Sequence, residues 1–134
     1  MPAAEKCWKA HMLSNCSPIG FIPITDSVRA RKFYVDVLKL RFEAEDSFAL
    51  VVRGHGISIR LAKMEEFVPA AYTIFGWEAP DLSAAVRELT GAGVSFLRVP
   101  RLEQDDLGIW TSPSGAQVAW FHDPDGNVLS LSQH

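Results

Sequence analysis

The stretch FIPITDSVRARKFYVDVLKLRF, which begins at Phe21, has a second copy of the same plan in FGWEAPDLSAAVRELTGAGVSF, which begins at Phe75. Asp26 is answered by Asp81, Ala30 by Ala85 and Tyr34 by Leu89 at a spacing of 55 residues, and Phe42 by Phe96 at 54. Because the order of strand, aspartate, helix and strand repeats along with single residues, an internal duplication explains the pattern. After the first helix come RFEAEDS, FALVVRG and HGISIRLAK, rich in β-formers and broken by Asp46-Ser47 and Gly54-His55-Gly56. They read as a three-stranded meander. The unit is therefore βαβββ, used twice. The expected fold class is α+β: two βαβββ repeats forming a cupped mixed sheet, with helices on the outside and a concave face inside.

Local signals place the elements. Asp26 or Ser27 can cap the first helix by accepting a bond from a first-turn N–H. Val28, Ala30, Phe33, Tyr34 and Val37 then recur at three- and four-residue steps, which gives that helix one apolar face. In the second copy Gly91 stands where a left-handed C-cap belongs. Val94–Leu97, Ile109–Thr111, Gln117–Phe121 and Asn127–Leu131 are the expected closing strands. Residues 1–17 show no sustained period and are read as an N-terminal extension that Trp8 and Met12 can dock. Residues 18–134 make one domain, with repeats at about 18–70 and 71–134.

Composition excludes several classes of function. At 134 residues and 48% hydrophobic, the chain can bury roughly two-thirds of its unfolded surface, so a metal would serve chemistry rather than folding. A formal charge of -3 from 13 basic and 16 acidic residues lacks the basic footprint that nucleic acid requires. No apolar run approaches the length of a membrane span, and Glu5, Lys6, Lys9 and His11 interrupt anything resembling a signal peptide. Cys7 and Cys16 form no zinc-type pair and are read as reduced thiols. The expected compartment is the cytoplasm, with neither nucleic acid nor membrane as partner.

On the duplicated segments and the closing stretch AWFHDPDGNVLSL, the chain from Ile19 to Gln133 resembles the vicinal oxygen chelate superfamily: glyoxalases, extradiol dioxygenases, fosfomycin-resistance enzymes and bleomycin-resistance proteins. The turn Asp123-Pro124-Asp125-Gly126 also makes sense unaided, since Pro124 presets φ and Gly126 can take φ > 0. The resemblance implies a metal position seven residues before each capping aspartate, here Ile19 and Ile74. It implies another at Ser130, four residues past the turn glycine, and one in HGISIRLAK at Arg60. Two aliphatics, a hydroxyl and a cation cannot hold a divalent ion. Neither metal nor other cofactor is expected. His11, His55, His122 and His134 do not converge on a replacement site; His122 is read as a solvent histidine beside the turn.

Strand alternation sorts the inner face of the cup. Ile57, Ile59 and Leu61 belong under the helices, which leaves Ser58 and Arg60 inside. The same parity puts Phe21 with Ile19, Gly76 and Glu78 with Ile74, and Ser130 with Val128 and Ser132 on that face. Phe75, Trp77, Leu129 and Leu131 go to the core. An inward arginine offers fixed donors to an oxyanion, or forms an ion pair with Glu78. Trp110 and Trp120 lie in the last strands, where antibiotic-binding members of the superfamily stack flat ligands on aromatic rings; one of the two is expected only to pack. Glu103, Asp105 and Asp106 form either an acidic lip or a solvated loop.

The resemblance thus implies a metal-free protein, similar to bleomycin-resistance proteins, that holds a planar or partly aromatic small molecule in the cup. Phe21, Arg60, Gly76, Trp110, Trp120 and Ser130 are its ligand-binding candidates. The alternative is a glyoxalase- or dioxygenase-like enzyme, a lyase, isomerase or oxygenase. There Arg60 would act as electrophile and Glu78 as base. Members of this length pair, so a homodimer is expected.

Overall fold

The computed structural model describes residues 12–134. Trp8 and Cys7 therefore lie outside the described residues, and of the expected extension only a short 3₁₀ turn, Met12–Asn15, and the two residues after it are described. Cys16, read above as a reduced thiol, is disulfide-bonded.

The first repeat runs β1 (Ile19–Ile24), α1 (Ser27–Arg31), β2 (Arg41–Glu45), β3 (Ala49–Gly54) and β4 (Ile57–Lys63). The second runs β5 (Thr73–Glu78), α2 (Leu82–Gly91), β6 (Trp110–Thr111), β7 (Gln117–His122) and β8 (Val128–Gln133). Each forms a four-stranded mixed sheet, in the orders β1-β4-β3-β2 and β5-β8-β7-β6. In both, the first strand pairs parallel with the last, and the remaining pairs are antiparallel. The α+β class and the duplicated βαβββ plan are as expected, and the sheets stay open rather than closing.

Both helices start where the sequence places them. Asp26 and Asp81 are extended residues whose carboxylates accept from the Arg29 and Ala84 amides at 3.1 Å, so Asp26 rather than Ser27 is the cap. After Arg31 the first helix widens into a π-helical stretch, Lys32–Val37. Phe33 and Tyr34 then reach the core together, with their rings edge to face at 5.2 Å. Val28, expected on the buried face, is 68% exposed. The second helix runs through Gly91, and the left-handed residue is Gly93 (φ 101°). There the Gly93 and Val94 amides bond back to the Thr90 and Leu89 carbonyls, the double bond of a Schellman cap. Val94–Leu97 forms no strand; only Phe96 bridges to Phe121. The chain there is held instead by side chains of the loop that follows.

One hydrophobic core takes residues from both repeats. Ile22, Leu50, Val52 and Leu61 of the first sheet join Phe121 and Leu129 of the second, with Tyr34 and Val86 from the helical segments. The two described helices lie on the apolar face of each sheet, where Ala30, Leu82 and Val86 are buried, and no described helix lies on the opposite face, which is bare in that sense. The sheets meet edge to edge at β1 and β5, where Gly20 is needed: a Cβ there would stand 2.6 Å from Phe75 Cε1. Phe75 is itself packed edge-on against Trp77 at 5.1 Å, so its ring has little room to yield. Gly20→Ala is expected to cost about 1–3 kcal/mol by overpacking. Urea unfolding measures this, and a loss under about 0.5 kcal/mol, the scatter of neutral surface substitutions, would show that the ring swings aside freely.

Among the described residues no helix is long and apolar enough to cross a membrane.

Candidate functional site

The strand register sets the bare faces out in rows. On the first sheet Phe21, Arg60 and Val51 lie side by side across β1, β4 and β3. On the second, Gly76, Ser130 and Trp120 form one row, and Glu78, Ser132, Val118 and Trp110 the next. Parity thus puts every candidate on the bare face, and the structure groups them as Phe21 with Arg60 and as Gly76, Ser130, Trp120, Trp110 and Glu78. Arg60 and Glu78 sit on different sheets, and no ion pair joins them: those among the described residues are Arg29–Asp125, Arg53–Glu43 and Lys63–Glu45. Arg60 adds its charge to the field at Asp46. The carboxyl of Asp46 is held below the usual carboxylate range chiefly by the Phe48 and Ala49 amides, with Arg60 and Lys63 contributing less.

Gly76 and Ser130 make a close pair. A Cβ on Gly76 would lie 2.5 Å from Ser130 Oγ, so the hydroxyl fills the space that a side chain at 76 would take. This keeps the sheet low beside Trp120. The Trp120 and Trp110 rings lie 6.0 Å apart at 32°, and both are half-buried.

Over this part of the second sheet lies an open, mainly apolar groove of about 520 Å³. Trp120, His122 and Val128 form its floor, and Pro69, Tyr72 and Leu102 stand among its walls. Trp110 faces a neighbouring, more polar hollow of about 510 Å³, and Leu102 separates the two. The wall is built by one side chain: Gln104 accepts from the Val99 amide at 2.7 Å and donates to the Leu97 and Gly108 carbonyls at 2.8 Å. Arg98 donates to the Asp105 and Asp106 carbonyls, and the Asp105 carboxylate accepts from the Leu107 and Ile109 amides. The Asp105 carboxylate is therefore occupied by its own loop, and Asp105 lines the polar hollow together with Arg101 and Glu103.

Behind the groove floor, the 123–127 turn is bolted to the first repeat. Asp123, 4% exposed, accepts from the Tyr34 hydroxyl at 2.6 Å, the Asn127 amide group at 2.8 Å and the backbone amides of Asp125 and Asn127. Asn127 donates in turn to the Pro23 carbonyl at 2.8 Å, and Asp125 takes the Thr25 amide, the Thr25 hydroxyl and Arg29. Burial first, then the charge of Asp123, pushes the Tyr34 hydroxyl far above its ordinary range, so it stays a donor.

Sequence reasoning missed the groove walls, and it missed that His122, exposed beside the turn as read, also stands in the groove lining. His122 is exposed, yet it shares the groove with Trp120, and the two-residue step between them was the available signal. The positions that the resemblance assigns to a metal, Ile19, Arg60, Ile74 and Ser130, offer one hydroxyl and no carboxylate, imidazole or thiolate. That donor set does not fit a divalent ion. Among the described residues no group of three His, Cys, Asp or Glu is placed to hold a metal elsewhere.

The comparisons agree with this architecture. The family model for the glyoxalase/bleomycin resistance protein/dioxygenase superfamily matches residues 11–131. A solved member of that superfamily from Sphaerobacter thermophilus is similar at 25% identity, with 88% of this chain and 96% of that one covered and a TM-score of 0.67. TnmS3, an antibiotic binding protein from a Streptomyces species, shares the fold at 23% identity, with 87% and 93% covered and a TM-score of 0.63. A glyoxalase/bleomycin resistance protein/dioxygenase from Alicyclobacillus acidocaldarius does so at 17% identity, with 90% and 92% covered and a TM-score of 0.70. No curated protein matches the sequence.

Proposed function

We propose a function from one premise: the chain belongs to the glyoxalase/bleomycin resistance protein/dioxygenase superfamily. It binds a planar, partly aromatic small molecule against Trp120 and holds it without chemistry. The observation that carries this is the groove of about 520 Å³, floored by an indole and walled mainly by apolar side chains. That volume lies within the usual range for small-molecule sites, and offset stacking on an aromatic face adds about 0.5–1.5 kcal/mol beyond burial. That TnmS3, which shares the fold, is an antibiotic binding protein supports a small-molecule ligand. Phe21 and Arg60, on the other sheet, complete the site from a second copy: we propose a homodimer in which the exposed Ile19 (53%) and Phe21 (64%) meet the partner.

Tryptophan-quenching titrations with 8-anilinonaphthalene-1-sulfonate and 9-aminoacridine, with elemental analysis of protein purified without chelator, test this. Expected are saturable quenching and no bound metal. Near-stoichiometric metal that also raises the melting temperature would make an oxygen-chelating enzyme the better account. Sedimentation at micromolar concentration checks the dimer, and a monomer there would refute it.

A further inference from the structure

A second recess, of about 440 Å³, opens where the end of β5 faces the β3–β4 turn, at the seam between the repeats. Its inner surface is Ile57, Ile59, Phe75 and Trp77, and His55 and Glu78 stand among its lining. The turn is tight, with His55 (φ 51°) and Gly56 (φ 78°) both left-handed, and this sets the imidazole across from β5. Trp77 also walls a smaller apolar cavity of about 130 Å³, shared with Leu38, Leu40 and Phe121.

Charge decides what such a recess accepts. Glu78 is exposed, and its carboxylate takes part in none of the side-chain hydrogen bonds or ion pairs among the described residues. Arg53, just before the turn, is already engaged by Glu43 at 3.1 Å and by the Gly56 carbonyl at 3.4 Å. The lining therefore brings together one acid without an ion-pair partner, Glu78, one imidazole, His55, and an apolar floor with an indole. An ammonium group is attracted by both the carboxylate and the indole face, while its hydrocarbon body covers the isoleucines. An anion of the same shape is repelled by Glu78 and finds in the lining only the His55 imidazole as a basic group.

We propose that this recess is a second binding site, distinct from the groove over Trp120, that takes a small organic ammonium ion with an aromatic or branched apolar body. Ile57, Phe75 and Trp77 hold the body, and Glu78 holds the charge.

The test follows the indole N–H signals of the uniformly ¹⁵N-labelled full chain during titration with benzyltrimethylammonium, and separately with phenylacetate. The cation is expected to shift the Trp77 signal saturably at millimolar concentration, and phenylacetate to leave it in place. Glu78→Gln should weaken the cation by about two- to fivefold, the upper part of the range for one exposed charge pair. Ile57→Trp, which fills the recess, should abolish the shift; it also guards against a Glu78 variant that perturbs the strand. Equal binding of both probes, an unchanged affinity in Glu78→Gln, or no Trp77 shift overturns the proposal. Shifts confined to Trp110 and Trp120 overturn it too, while leaving the groove reading intact.

Discussion

Asp123→Ala is expected to lower the unfolding free energy by about 3–5 kcal/mol, because the substitution strands several buried donors at once. Tyr34 is fully buried, Asn127 is 1% exposed, and the hydroxyl, the side-chain amide and two backbone amides all converge on this carboxylate. Of these groups only the Asn127 side-chain amide keeps a second acceptor, the Pro23 carbonyl, and a water that enters can satisfy only part of the set. Urea unfolding followed by far-ultraviolet circular dichroism measures the loss. A value under about 1 kcal/mol, the scale of one ordinary hydrogen bond, would mean that the network is not what joins the repeats. Tyr34→Phe removes one bond to a charged acceptor, worth about 1.5–3 kcal/mol, and it adds a signature in pH. An unfolded tyrosine ionises near pH 10, whereas burial and Asp123 keep the folded hydroxyl protonated beyond that. Above pH 10 the folded state therefore holds one proton more, so stability is complete below that pH and falls as pH rises through it. In the phenylalanine variant that part of the alkaline slope should vanish.

The second large effect concerns binding. Trp120→Ala is expected to weaken a planar probe in the groove by about thirtyfold, since removing a buried aromatic anchor typically costs 2 kcal/mol or more. Trp120 is only half-buried and lies on the bare face, away from the core cluster, so the fold should survive the change. Trp110→Ala should cost much less, about threefold, or roughly the stacking contribution of one neighbouring ring. Isothermal titration of both variants gives the ratio. Equal losses would place the ligand across both hollows, and no loss at Trp120 would remove the basis of the proposed site.

Much of this architecture was legible because its signals are local. Asp26 and Asp81 cap helices through bonds that span three residues, and the two-residue alternation in β4 and β8 sorts Arg60 and Ser130 from Ile59 and Leu129 wherever the sheets go. The groove was not legible. Its walls come from residues 69–73 and 97–102, which reach Trp120 only through tertiary packing, and the second wall depends on Gln104 bonding three backbone groups. The same limit applies to Arg60 and Glu78. Parity puts both on a bare face, but it carries no information on how one sheet edge meets the other, and no ion pair forms. Gly91 and Val28 mark smaller failures of the same kind: the cap falls at Gly93, and Val28, in the regular turn ahead of the widened stretch, faces solvent.

The bolt between the repeats has a consequence for chains that arise by duplication. Tyr34, Thr25 and Arg29 belong to the first half, and the carboxylates of Asp123 and Asp125 that receive them belong to the second. The connection between the halves reaches the surface at Val68, which is 94% exposed. If the chain were divided there, each fragment would hold one side of the match and neither would hold both. Two such fragments are addressed to each other rather than to copies of themselves, so the halves, alike in plan, have become a lock and a key.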